Sequence, residues 1–268
     1  MRPRIFITQP VAASAIERLR AVAELTLNPD ALHIATKDEL LAAVRGNDVL
    51  FCLLHDRVDR DVIGANPRLR MIATMTITPA DIDVAEATAR RIPVTVIPAP
   101  LLNDATADLT WALILGVARR VVEGDRIMRT GVFAGAQSTY FVGGGVSGRV
   151  LGIVGCGGIG RAVARRARGF GTRLLYYDPR RVPDAEAAEL GLTWVPLDRL
   201  LGESDFVSIH ASLTPETRHL IDAAALARMK PTAVLVNTAR GPVVDEAALV
   251  DALRSGTIAG AALDVHER

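Results

Sequence analysis

The sequence is poor in several things, and each shortage excludes a class of protein. Among its 268 residues there are only two cysteines. Cys52 and Cys156 stand far apart, so they make neither a disulfide framework nor a metal knuckle. That usage fits a reducing compartment, and a cytoplasmic protein is expected. Charge of one sign is also missing: Lys+Arg number 31 against 30 Asp+Glu, for a net charge of +1. A partner bound through its phosphate backbone, such as a nucleic acid, is not expected from that balance. The most apolar run, Leu109 to Ala118, is much shorter than the roughly 20 residues that cross a bilayer, so no membrane partner is expected. The opening Met1-Arg2-Pro3-Arg4 leads directly into a short apolar strand, with no signal-peptide core. The histidines His33, His55, His219 and His266 lack ligand spacing, and no metal site is expected. There are no solenoid-period repeats and no low-complexity tracts.

What is present centres on Leu151-Gly152-Ile153-Val154-Gly155-Cys156-Gly157-Gly158-Ile159-Gly160. An apolar strand (150–154) runs into a G-x-G-x-x-G turn and a helix (161–168) follows. Such a turn uses glycine for three purposes: the tight bend, the close approach of backbone to a pyrophosphate, and close helix–strand packing. The free N–H groups and positive dipole end of the helix then face the phosphates. A second strand (173–177) ends in Asp178, close to the spacing of about 20 residues expected for a carboxylate that receives ribose hydroxyls.

Along the rest of the chain strands and helices alternate. Strands are expected at 4–8, 25–27, 49–54, 69–75 and 94–97, with helices at 11–23, 37–44, 59–65 and 84–91 between them. Strict alternation means a parallel sheet covered on both faces. Residues 1–100 therefore form a first α/β unit without a glycine-rich phosphate turn. Pro98-Ala99-Pro100 reads as a hinge. One long helix is expected over 103–130, apolar nearly all round at its centre and charged at its end. Residues 131–148, with Gly143-Gly144-Gly145, read as a loop or arm, and either a mobile connector or a dimer contact fits them. From 150 onward come strands at 150–154, 173–177, 193–195, 206–209, 233–236 and 258–263, with helices at 184–190, 198–201, 223–229 and 245–254. The fold class is α/β with two doubly wound parallel-sheet domains, residues 1–100 and 101–268.

In open α/β sheets ligands bind beyond the carboxyl ends of the strands. In the second unit those ends carry Gly155, Asp178, His210, Thr238-Ala239-Arg240 and Asp264. Arg240, after an apolar strand and beside a glycine, has the planar fork that suits a substrate carboxylate. His210 reads as a proton donor, a wall of a cofactor pocket or a capping group, and Asp264 as a nicotinamide contact or a turn acid.

Four stretches together resemble the NAD-dependent D-isomer-specific 2-hydroxyacid dehydrogenases: G-I-V-G-C-G-G-I-G, S-D-F-V-S-I-H-A-S-L-T-P-E-T-R-H-L-I, M-K-P-T-A-V-L-V-N-T-A-R-G-P-V-V-D-E and A-G-A-A-L-D-V. Asn103-Asp104-Ala105-Thr106-Ala107-Asp108 also looks like the family's segment that opens its interdomain helix. The resemblance implies a flavodoxin-like substrate domain, a Rossmann NAD-binding domain and a homodimer. It also implies hydride transfer between NAD(H) and C2 of a small 2-oxo or D-2-hydroxy acid. It places Arg240 on the substrate's carboxylate and carbonyl as the catalytic residue, with Thr76, Ile77 and Thr78 as substrate contacts. Thr106, Gly155, Gly157, Gly158, Ile159, Gly160, Asp178, His210, Thr238, Ala239 and Asp264 are then cofactor contacts. Asp178 favours NAD over NADP, while Arg180 and Arg181 leave room for some NADP tolerance.

The sequence departs from the family pattern in two places. Thr76 and Thr78 occupy glycine places of the carboxylate loop, where a Cβ narrows the pocket and a small acid is expected. The family's catalytic glutamate falls at the position after Arg268 and its catalytic histidine further on. By that spacing the given sequence is expected to stop short of a longer protein, which would carry the acid–base pair, the second domain's last strand and the first domain's C-terminal helix beyond residue 268. The alternative function is an NAD(H)-binding protein of weak catalysis that acts through protein–protein contacts.

Overall fold

A computed structural model describes residues 2–79, 81–133, 135 and 138–267. By its internal contacts the chain divides into two units, Met1–Ala99 and Pro100–Arg268.

In the first unit β1 (Arg4–Ile7), β2 (Glu24–Leu27), β3 (Val49–Cys52), β4 (Met71–Thr74) and β5 (Val94–Thr95) alternate with α1 (Ala13–Val22), α2 (Lys37–Gly46), α3 (Arg60–Gly64) and α4 (Val84–Ala89). The strands pair in the order β2-β1-β3-β4-β5, all parallel. This is the flavodoxin-like doubly wound order. Side chains leave a strand alternately to either face, and helices cover both. Leu50, Cys52 and Ile72 lie in one core with Val44 and Ile63, and Ile5 and Ile7 in another with Ile16. The helix starts are explicit in the sequence. Thr36 and Glu39 form a capping box on α2, and Asp59 and Asp83 cap α3 and α4.

The second unit opens with α5 (Ala99–Ala118) and α6 (Val121–Arg129). It then alternates β6 (Val150–Val154), α7 (Gly158–Ala167), β7 (Arg173–Tyr177), α8 (Asp184–Leu190), β8 (Leu192–Trp194), α9 (Leu197–Glu203), β9 (Phe206–Ile209), α10 (Ala223–Arg228), β10 (Val234–Asn237), α11 (Glu246–Ser255) and β11 (Gly260–Leu263). The six strands pair in the order β11-β10-β9-β6-β7-β8. Counted from β6, this is the 3-2-1-4-5-6 order of a Rossmann sheet. Its two faces are separate cores. Leu174 and Tyr176 of β7 pack with Trp111, Ile114 and Val163, whereas Leu175 between them packs with Leu200, Val207 and Leu235.

Two expectations need correction around α5. The helix begins at Ala99, with Pro100 in its first turn, where its missing N–H leaves no hydrogen bond unmade, and the boundary between the two units falls between these two residues. The single helix expected over 103–130 is two. Arg120 adopts a left-handed φ of 53° between them, its side chain bonded to Glu123 and lying 4.2 Å over the Phe141 ring. Nor is α5 buried all round. Ala107, Thr110, Trp111, Ile114 and Ala118 face the core, while Leu101 is 70% and Leu109 39% exposed. By length and composition α5 would qualify as a membrane-crossing helix. Its inner face is core, however: Trp111 stacks on Phe170 at 4.4 Å, and Asp104 and Asp108 bond Arg166 of α7. Of the loop expected over 131–148, residues 134, 136 and 137 lie outside the described residues. Its glycine run packs close, with the Gly144 N–H donating to the Ala118 carbonyl at 2.7 Å.

Candidate active site

The glycine turn is built as its spacing requires. Gly155 has φ +89°, and a Cβ there would lie 2.5 Å from the Ala211 backbone nitrogen. Only glycine fits that bend and that approach of the loops after β6 and β9. A Cβ on Gly160 would run into the Gly155 carbonyl, which explains the close packing of α7 on the turn. Gly157 is different: its missing Cβ would point into open space. It is also the N-cap of α7, where no side chain caps the free N–H groups. An open, donor-lined cradle at a helix N-terminus accommodates a pyrophosphate. Ile159 is half-buried and packs on the core below.

Asp178 ends β7 beside this turn. One carboxylate oxygen accepts the Cys156 N–H at 2.9 Å, and the other accepts the Arg180 N–H at 2.9 Å. Each oxygen keeps a further lone pair. Arg181 lies 4.0 Å over the Trp194 ring, and the Trp194 indole donates to the Asp178 carbonyl. Burial pushes the Cys156 thiol up to about 12, so it is an inert wall.

Behind the turn runs a chain of polar groups that joins α5, β9 and β10. The Thr110 hydroxyl donates to the Thr106 carbonyl at 2.8 Å and meets the Thr238 hydroxyl at 3.0 Å. Thr238 lies 3.4 Å from His210 Nδ1, and His210 Nε2 lies 2.8 Å from the Ser208 hydroxyl. Burial pushes the His210 imidazole down to about 3. That shift favours the neutral imidazole at physiological pH and the reading of His210 as a wall of the cofactor pocket.

Arg240 follows β10 on an Asx-type turn. Asn237 Oδ1 accepts the Ala239 N–H at 3.0 Å, and Asn237 Nδ2 donates to the Arg240 carbonyl at 3.0 Å. The Arg240 guanidinium donates to the Ala239 carbonyl at 2.7 Å. Among the described residues no carboxylate lies within 4.0 Å of it. It is half-buried and electrostatically uncommitted, which suits a ligand carboxylate rather than a structural ion pair. Asp264 is exposed, its N–H donating to the Asn237 carbonyl at 3.0 Å. The segment after it is tied down: Glu267 accepts from Arg218 at 2.7 Å and His219 at 2.9 Å, and His266 lies 3.2 Å from Glu246.

In the first unit Thr76, Ile77 and Thr78 lie just past β4. The Thr76 hydroxyl donates to the Thr78 carbonyl at 2.6 Å and meets Thr74 at 3.0 Å. Sequence reasoning passed over Asn237, although asparagine at a strand end before small residues is a turn signal. Thr110 gave no such signal, since its partner Thr238 stands 128 positions away and is brought to it only by folding.

A glycine turn with an open cradle, an acid at the next strand end and a Rossmann strand order define a dinucleotide-binding α/β protein. Residues 111–268 match the model of the D-isomer specific 2-hydroxyacid dehydrogenase, NAD binding domain. Glyoxylate reductase of Korarchaeum cryptofilum is 48% identical over 269 residues, covering 100% of this chain and 80% of its own length. The same enzyme of Thermococcus kodakarensis is 47% identical over 271 residues, with the same coverage. Among solved structures, a glyoxylate reductase from Paecilomyes thermophila superposes with a TM-score of 0.82 at 32% identity, over 100% of this chain and 82% of that one. D-lactate dehydrogenase from Aquifex aeolicus, complexed with NAD and lactic acid, gives 0.83 at 28% identity, over 98% and 77%. The chain belongs to the D-isomer specific 2-hydroxyacid dehydrogenase family.

Proposed function

We propose that this protein reduces glyoxylate and other small 2-oxo acids with NADH, and runs the reverse oxidation of the corresponding D-2-hydroxy acids. The observation that carries the reading is the uncommitted Arg240 guanidinium on an Asx-held turn, in the same unit as the open glycine cradle. Relatives at 48% and 47% identity bear the name glyoxylate reductase. When bound, NAD(H) supplies or accepts the hydride. The chain's own residues bind and orient. The N–H groups at the start of α7 receive the pyrophosphate, Asp178 receives ribose hydroxyls, and Thr106, His210, Thr238, Ala239 and Asp264 wall the pocket. Arg240 holds the substrate's carboxylate and polarises its carbonyl. Thr76, Ile77 and Thr78 are the substrate-facing segment of the first unit, and the two threonines favour an acid as small as glyoxylate. An uncommitted carboxylate clamp favours an enzyme over a nucleotide-binding protein that acts through protein contacts alone.

Met128, Val132, Phe133 and Val142 are each more than 60% exposed on α6 and the segment after it, which supports a homodimer through the second unit. Two unpaired, buried cysteines support a cytoplasmic location. The substrate is a small molecule, and neither nucleic acid nor membrane is a partner.

Arg240→Ala tests the reading. It removes charge-assisted bonds to substrate, so kcat/KM for glyoxylate should fall about 100-fold or more while NADH affinity is nearly unchanged. Equal loss of both would remove Arg240 from the substrate.

A further inference from the structure

Asn103, in the first turns of α5, is not among the residues that the motifs place on the cofactor. Its side chain nevertheless lies over the glycine turn. A Cβ on Gly158 would stand 2.5 Å from Asn103 Nδ2 and 2.9 Å from Oδ1. Gly158 is the first residue of α7 and is exposed, so the amide lies at the N-terminus of α7, one residue from the Gly157 opening. The Asn103 Nδ2 donates to no protein group among the described residues, although two N–H bonds are available to it. A donor left free beside a cradle of backbone N–H groups is placed for an anion.

The geometry points to Asn103 as a side-chain donor to the pyrophosphate of the bound dinucleotide, admitted to the turn by the absence of a side chain at Gly158. This rests on the nucleotide site proposed above and adds a binding residue to it. The logic is an exchange between two positions. A residue with a long side chain at 158 would cover the phosphates from α7 itself. With glycine there, the helix that precedes the sheet supplies the group. Asn103 is tied to the turn only through this contact, whereas its neighbours Asp104 and Asp108 are held by Arg166.

The test is nucleotide binding, read without turnover. NADH affinity is measured by nicotinamide fluorescence, and ADP-ribose and adenosine affinities by calorimetry, for the wild type, Asn103→Ala, Gly158→Ala and the double variant. A bond to a charged oxygen at a partly solvated site should be worth about tenfold. Asn103→Ala should therefore weaken NADH and ADP-ribose by about that factor and leave adenosine, which has no phosphate, unchanged. Gly158→Ala, whose methyl displaces the amide, should do the same, and the double variant should lose no more than either single one. Asn103→Asp, of similar shape but charged, should weaken both phosphate-bearing ligands further.

Unchanged NADH affinity in Asn103→Ala would overturn the assignment. So would equal loss of adenosine, which would mean that Asn103 merely shapes the turn. A wild-type protein that binds neither NADH nor ADP-ribose would instead overturn the nucleotide site, and this assignment with it.

Discussion

The Asp178 carboxylate accepts the backbone N–H of Cys156 at 2.9 Å, so the acid that ends the second strand of the nucleotide unit also braces the glycine turn. The ribose contact proposed above would be a second duty of the same side chain, and Asp178→Ala tests both. NADH should bind about tenfold more weakly through the lost ribose contact, and NADPH should lose less, because its 2′-phosphate no longer meets a carboxylate. Asp178→Asn keeps an acceptor for the Cys156 N–H and should recover thermal stability but not the preference for NADH. Fluorescence titration with both cofactors, beside a melting curve, separates the two effects. Equal weakening of NADH and NADPH would count against the ribose contact.

His210 should make the protein sensitive to acid. Burial holds its folded pKa near 3, against an ordinary 6.5. Between those values the unfolded chain takes up a proton that the folded chain refuses. Stability therefore falls as pH drops through this window and is unaffected above it. The contribution to the slope is about 1.4 kcal/mol per pH unit for one proton. His210→Gln should flatten the dependence of unfolding free energy on pH between 6 and 4. An unchanged slope would show that other groups govern acid unfolding.

Gly155→Ala should be among the most damaging single-methyl changes in the second unit. It forces an alanine to φ +89° and drives its Cβ to 2.5 Å from the Ala211 nitrogen. Such backbone strain costs about 1–3 kcal/mol before the clash is counted. A drop of several degrees in Tm and loss of NADH binding are expected. Gly171→Ala, also at positive φ but in open space, should cost less and leave NADH affinity intact.

The threonines past β4 should set substrate size. Thr76→Gly and Thr78→Gly remove Cβ branches from the segment after β4, and the Thr76 variant also frees the Thr78 carbonyl. The ratio of kcat/KM for pyruvate to that for glyoxylate should rise about tenfold, the worth of one methylene-sized space. An unchanged ratio would remove this loop from the control of size.

Much of this architecture is legible in the sequence because its signals are local. Alternation of strand and helix, the glycine spacing and the acid after β7 each need only a short window. α5 is harder to read, because a 20-residue apolar helix has the same composition whether one face or every face is buried. Its break at Arg120 was hidden for a related reason: a left-handed arginine stabilised by Glu123 and Phe141 is a tertiary event on a sequence with no glycine or proline there. At the site, single residues such as Arg240 and Asp178 stood out by position at strand ends. Asn103 and Thr110 did not, since what matters about them is a neighbour brought close only by folding.

The polar chain behind the cradle has one more consequence, which follows from counting hydrogens. Thr110 has one hydroxyl hydrogen and spends it on the Thr106 carbonyl. In its contact with Thr238, 128 positions away, it can only accept, so Thr238 spends its own hydrogen there. Facing His210, Thr238 then has nothing left to give, and the imidazole must carry its proton on Nδ1 and take one from Ser208 on Nε2. The tautomer of a ring at the end of β9 is thus dictated by a helical carbonyl far earlier in the chain. Thr110→Val would erase that instruction without touching the ring.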